Sequence, residues 1–129
     1  KLKDTFLSNF KNNFASKDMD WAYDPLEIIK YFNFYNDYMK FWNKLCGDFI
    51  YEVEYENIVG NSEYEIRRLL NYCELDWDES CLNHHKSKKT MIKTVSTFQA
   101  RKPIYNTSVD SSKFYSKNLE KYFKQLDHK

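Results

Sequence analysis

The chain has 129 residues, enough for one domain around one core and too few for two comfortable ones. Its 20 basic side chains stand against 19 acidic ones, so the net charge of +1 provides no global field for nucleic acid or an acidic membrane, and any anion site has to be local. With 2 glycines a Gly-rich phosphate loop is excluded within these residues, and with 19% aromatic residues the core is expected to be built from rings.

Cys46, Cys73 and Cys81 have no disulfide-framework spacing, which favours reduced thiols in an intracellular or otherwise unpaired setting, the cytoplasm if the source is bacterial. No apolar run is long enough to span a bilayer and no signal peptide is visible. The chain begins at Lys1 rather than at methionine, and a fragment of a longer protein is the expectation.

Asp4 is expected to cap a first helix from about Thr5 to Phe14, with Phe6, Phe10 and Phe14 on one face and Ser8 in its early turns. Asp24-Pro25 then supplies a capping carboxylate and a proline at the first helical position. The helix that follows should reach about Leu45. Ile28, Phe32, Tyr35, Met39, Trp42 and Cys46 form one stripe on it, and Tyr31, Phe34, Tyr38, Phe41 and Leu45 form a second. Two stripes predict a broadly buried helix, or one face on the core and another on a partner or a missing half. Gly47 is expected to end the helix in the left-handed conformation.

Phe49, Tyr51, Val53 and Tyr55 alternate with Ile50, Glu52, Glu54 and Glu56, which predicts a strand from Asp48 to about Glu54. A solitary strand is no sheet, so its partners are expected outside this chain. Ser62 and Glu65 form a capping box for a helix through Ile66, Leu69, Leu70 and Cys73. Asp76 or Asp78 caps a short turn with Cys81 and Leu82, and Asn83 to Thr94 reads as a polar, basic loop. Ser111 or Ser112 begins helical material through Phe114, Leu119, Tyr122 and Leu126.

Between these elements lies Ser96-Thr97-Phe98-Gln99-Ala100-Arg101-Lys102-Pro103-Ile104-Tyr105. Hydroxyls, an amide, adjacent cations and a proline without helical or strand periodicity suit an ordered loop around an anion, although composition alone favours a solvated connector. Cys73, Cys81, His84 and His85 lack the pairing of a zinc site, so no metal is expected. The lysines from Lys86 to Lys93 read as a solvated face rather than a nucleic-acid contact.

Tyr55-Glu56-Asn57-Ile58-Val59, Glu65-Ile66-Arg67-Arg68-Leu69-Leu70, Trp77-Asp78, Cys81-Leu82 and Ser96 through Tyr105 occur in an order that resembles the carboxy-terminal part of a sulfotransferase using 3'-phosphoadenosine-5'-phosphosulfate, nearest the tyrosylprotein sulfotransferase-like branch and its bacterial relatives. The resemblance implies an α/β fold: the mostly helical C-terminal part of a P-loop-type domain, spanning residues 1–129, with one strand of a parallel sheet. It implies that Ser8 binds the 3'-phosphate, that Tyr55 ends a strand and contacts the nucleotide, that Ser96 stabilises the transition state, that Ser96 to Tyr105 embraces the co-substrate, and that Lys113 neutralises phosphate.

The phosphosulfate loop and catalytic base would lie upstream, leaving this portion inactive alone. Asn12 stands where the tyrosylprotein enzymes carry an arginine, and Ala100 replaces a larger apolar residue. The acceptor hydroxyl is therefore open among peptide tyrosine, glycan and small molecule. The competing class is a helical interaction module whose aromatic helix docks a partner groove, without catalysis.

Overall fold

The computed structural model describes residues 1–14, 16–86 and 102–126, and the chain divides into two units, Lys1–Ile50 with Thr107–Lys129 and Tyr51–Asn106. Its α-helices are α1 (Leu2–Lys11), α2 (Pro25–Cys46), α3 (Tyr55–Gly60), α4 (Ser62–Tyr72) and α5 (Glu120–Leu126), with short 3-10 segments between them.

In the first unit, Asp24 accepts a 2.7 Å hydrogen bond from the Leu26 N–H and Pro25 opens α2, so one orphan donor is satisfied and the ring sits where no N–H is needed. The core is small and assembled from distant segments. Phe6 and Leu7 of α1, Ile28, Ile29 and Phe32 of α2, and Leu119, Phe123 and Leu126 at the other end of the sequence bury one another. Phe6 is fully buried, meeting Phe123 edge-on at 5.7 Å and Phe10 at 6.1 Å between ring centroids. The Tyr23 hydroxyl accepts from the Phe14 N–H at 2.7 Å, and Trp21 stacks on Tyr31 at 4.2 Å. These contacts hold the 3-10 segment Lys17–Tyr23 against the ends of α1 and α2.

Two expectations about this unit change. The first helix spans Leu2–Lys11 with Lys1 at its N-cap, so Asp4 caps nothing on its own helix and Phe14 lies beyond it. Gly47 follows α2 in the right-handed region, φ −55° and ψ −33°, because the chain continues directly into a 3-10 turn, Gly47–Phe49, instead of reversing.

The expected α/β class is overturned: among the described residues there is no strand and no sheet. Ile50 and Glu54 are extended, at φ −114°, ψ 115° and φ −87°, ψ 122°, as the alternating pattern asks. A ladder also needs a second extended segment to take up its N–H and C=O groups, and no described residue provides one. Tyr51 instead packs its ring on Tyr72 at 4.8 Å, and Tyr55 begins α3 rather than ending a strand.

The second unit is a helical hairpin of α3 and α4 with the turns that follow. The expected capping box is absent. Ser62 donates its hydroxyl backwards to the Ile58 carbonyl at 2.7 Å, while Glu65 is buried and pairs with Arg68 at 3.3 Å, so neither side chain reaches an orphan donor of α4. At its other end α4 closes with the Leu75 N–H on the Leu70 carbonyl and the Glu74 N–H on the Asn71 carbonyl, with Glu74 left-handed at φ 55°. That is the Schellman arrangement with glutamate where glycine is usual. Arg67 then lies 3.8 Å from the Trp77 ring centroid while bonding Glu63 at 2.8 Å, and this folds the segment after α4 back on it. Asp78 caps the turn Glu79–Cys81 through the Ser80 N–H, as expected, whereas Cys73 is exposed rather than apolar-facing. None of the described helices is long and apolar enough to cross a membrane.

Burial divides the rings of this chain sharply. Phe6→Ala should lower stability by about 3–5 kcal/mol, whereas Phe34→Ala, at a ring that is 67% exposed, should change it by about 0.5 kcal/mol or less. Urea denaturation of both variants checks this, and similar losses at the two positions would show that the outer face of α2 is also packed.

Candidate functional site

The best-formed polar constellation in the first unit starts from a carboxylate in the first turn of α1. Asp4 points sideways, and its two oxygens accept the N–H groups of Asp110 at 2.9 Å and Ser112 at 2.8 Å, with the Ser111 hydroxyl 3.5 Å away. It thus caps the 3-10 turn Ser111–Tyr115, whose first donors have no partner within the turn. Partial burial pushes the Asp4 carboxyl up, but hydrogen bonds from Ser112 and from the Asp110 backbone outweigh it and hold the group below 3.8.

Asp110 is left-handed at φ 60°, a conformation a short polar side chain tolerates. Its carboxylate receives the Lys1 ammonium at 2.6 Å and the Lys113 ammonium at 2.7 Å. Those two charge-assisted hydrogen bonds pull it down to about 2. Around the cluster runs an open cleft of about 490 Å³, with Lys1, Lys3 and Lys113 supplying cations, Ser112 and Ser116 hydroxyls, and Leu2 and Leu126 an apolar floor. The Ser116 hydroxyl donates to the Lys113 carbonyl at 2.9 Å, so the three ammonium groups are what a small anionic ligand could use here.

The second unit contains the other cluster. The Tyr55 hydroxyl donates to the Tyr105 carbonyl at 3.1 Å across 50 positions of sequence, and burial, then Tyr105 and Glu56, push its phenol upward. The His84 ring meets the Lys102 carbonyl at 3.2 Å. The end of the expected binding loop is therefore tethered twice through its backbone.

The anticipated residues fare unevenly. Tyr55 and Tyr105 are brought together, and Lys102, Pro103 and Ile104 follow the same tethered path. Ser96, Thr97, Phe98, Gln99, Ala100 and Arg101 lie outside the described residues. Lys113 lines the cleft. Ser8 stands exposed on α1 and is not among the lining residues, and it is the seventh of ten helical positions, not in the early turns, so the helix dipole does not reinforce it. Asp110 and Lys1 carry no sequence expectation, and Asp4 is expected only as the cap of its own helix. The signal for Asp110 was present in Asp110-Ser111-Ser112, a turn-forming cluster before a lysine, but its link to Asp4 has no sequence signature. Among the described residues no group of three or more His, Cys, Asp or Glu side chains could hold a metal ion.

Residues 3–79 match the family described as the sulfotransferase family. A protein of Aquifex aeolicus (strain VF5), described as uncharacterized, is 38% identical over 118 residues, covering 90% of this chain and 15% of that relative. The chain thus spans about 15% of the length of the relative it matches. No solved structure matches. Ser8 and Tyr55 fall inside the family match, whereas the loop and Lys113 fall beyond it.

Asp4 and Asp110 both titrate below their unfolded values, so what they contribute to stability is complete above about pH 4 and is lost as pH falls toward 2. Urea midpoints measured from about pH 5 down to 2 should fall for the natural sequence and fall less for Asp4→Asn. An identical slope in the two proteins would mean that the Asp4 bonds add nothing to stability.

Proposed function

We propose that this chain, which belongs to the sulfotransferase family, forms part of the nucleotide-sulfate site of a longer enzyme that transfers a sulfuryl group to an acceptor hydroxyl. The co-substrate would be 3'-phosphoadenosine-5'-phosphosulfate and the placement the C-terminal part of the catalytic domain, nearest the tyrosylprotein-like branch. Acceptors remain peptide tyrosine, glycan or small molecule. The observation that carries the reading is the family match over residues 3–79, joined to the expected loop by the Tyr55–Tyr105 hydrogen bond.

The donor set fits an anionic nucleotide. Lys113 shares its cleft with Lys1, Lys3 and the carboxylate of Asp110, and the apolar floor of Leu2 and Leu126 is compatible with the uncharged part of a ligand. The co-substrate, when bound, supplies the activated sulfuryl group. In the first unit Lys113 would act as a point charge toward phosphate and Ser8 as a hydroxyl donor; in the second, Tyr55 would fix the end of the loop Ser96 to Tyr105. Ser96 would donate to oxygens on which charge develops in the transition state.

A second reading is favoured by one observation. Tyr31, Phe34, Tyr35, Tyr38, Phe41 and Leu45 of α2 are all about half exposed or more, as a docking helix would be. A thermal shift of the full-length protein with adenosine 3',5'-bisphosphate separates the two, since saturation at about 100 times Kd adds about 2.7 kcal/mol to stability. A folded protein that shows no shift would sink the nucleotide reading. Tyr55→Phe, which removes only the hydroxyl donated to Tyr105, should weaken bisphosphate binding about threefold to tenfold.

A further inference from the structure

Asp110 occupies an unusual position for an acidic residue, at the mouth of a cleft whose other charged lining groups are lysines. Both of its carboxylate oxygens are engaged, one by Lys1 and one by Lys113. The backbone that carries it is held separately, because its N–H bonds to Asp4 and the neighbouring Ser112 N–H does the same. The side chain can therefore release its lysines without the turn moving. Release is also cheap, since the Lys113 side chain is 72% exposed and the Asp110 side chain 36%, and solvent-exposed ion pairs are weak.

We propose that this cleft takes a phosphate ester and that Asp110 is its built-in competitor, holding Lys113 until ligand phosphate displaces the carboxylate. The inference rests on the reading above that Lys113 faces phosphate, and it adds the group that sets how tightly. A carboxylate pulled down to about 2 stays ionised at any ordinary pH, so another anion, rather than a proton, has to displace it. The exchange replaces one carboxylate by a phosphate carrying more charge and more acceptor oxygens, at a cleft that Lys1, Lys3 and Lys113 all line.

Calorimetric titration of the full-length protein with adenosine 3',5'-bisphosphate and, separately, with pyrophosphate tests this. Asp110→Asn, which tolerates the left-handed turn and keeps the N–H bond to Asp4, should tighten both ligands about twofold to fivefold, the scale of a solvent-exposed ion pair. Adding Lys113→Gln to Asp110→Asn should abolish the gain. Asp110→Gly, which also accommodates the turn, must behave as Asp110→Asn does and serves if that variant does not fold. Weaker or unchanged binding of both anions in the folded variants, or no binding of either anion to any of the proteins, overturns the inference. Pyrophosphate tightening without any bisphosphate binding would leave the inference standing and remove the nucleotide reading. Bisphosphate bound equally by the natural protein and Asp110→Asn would do the reverse.

Discussion

The carboxylate of Asp4 is the interaction on which the first unit depends. A helix interior has no backbone donors to spare for other segments, and a short 3-10 turn begins with donors that nothing inside it can satisfy. Asp4 supplies acceptors from α1 to the N–H groups of Asp110 and Ser112, more than 100 positions away. Leaving two such donors unsatisfied would cost about 1–3 kcal/mol each where they are shielded from water. Phe6, two positions further along the same helix, enters the core against Phe123. One turn of α1 thus fastens the C-terminal segment twice, once by charge and once by burial, and Lys113 inherits its place in the cleft from both.

That double fastening explains which parts of the structure could be read from sequence. Asp24-Pro25 and Asp78 act on donors two residues away, so their caps were visible in the local string. Asp4 has the same signature, but its oxygens serve a turn that sequence distance hides. Ser62 and Glu65 had the right spacing for a capping box, yet Ser62 found a carbonyl one turn back and Glu65 found Arg68. In both cases a local motif lost to a partner supplied by the fold.

The strand failed for a different reason. Its alternation correctly gave extended backbone at Ile50 and Glu54, but pairing is a property of two segments and the pattern of one cannot announce the absence of the other. The long helix shows the same limit. Its two apolar stripes were real, and only Ile28, Ile29 and Phe32, all in its first half, are buried. The rings beyond them make an exposed aromatic face of the kind that marks an interaction surface.

The end of the candidate loop was the least legible feature, and the reason is chemical. His84 and Tyr55 hold it through the carbonyls of Lys102 and Tyr105, groups that every residue possesses. No choice of side chain at positions 102 to 105 could reveal such a tether, and substitutions there leave its acceptors in place. The specificity lies entirely in the donors. Tyr55 is therefore identifiable as a residue of interest, while its hydrogen bond to a backbone carbonyl 50 positions away is not. A clamp of this kind fixes the path of the chain independently of loop sequence, which allows the residues it carries to vary while their backbone positions are kept.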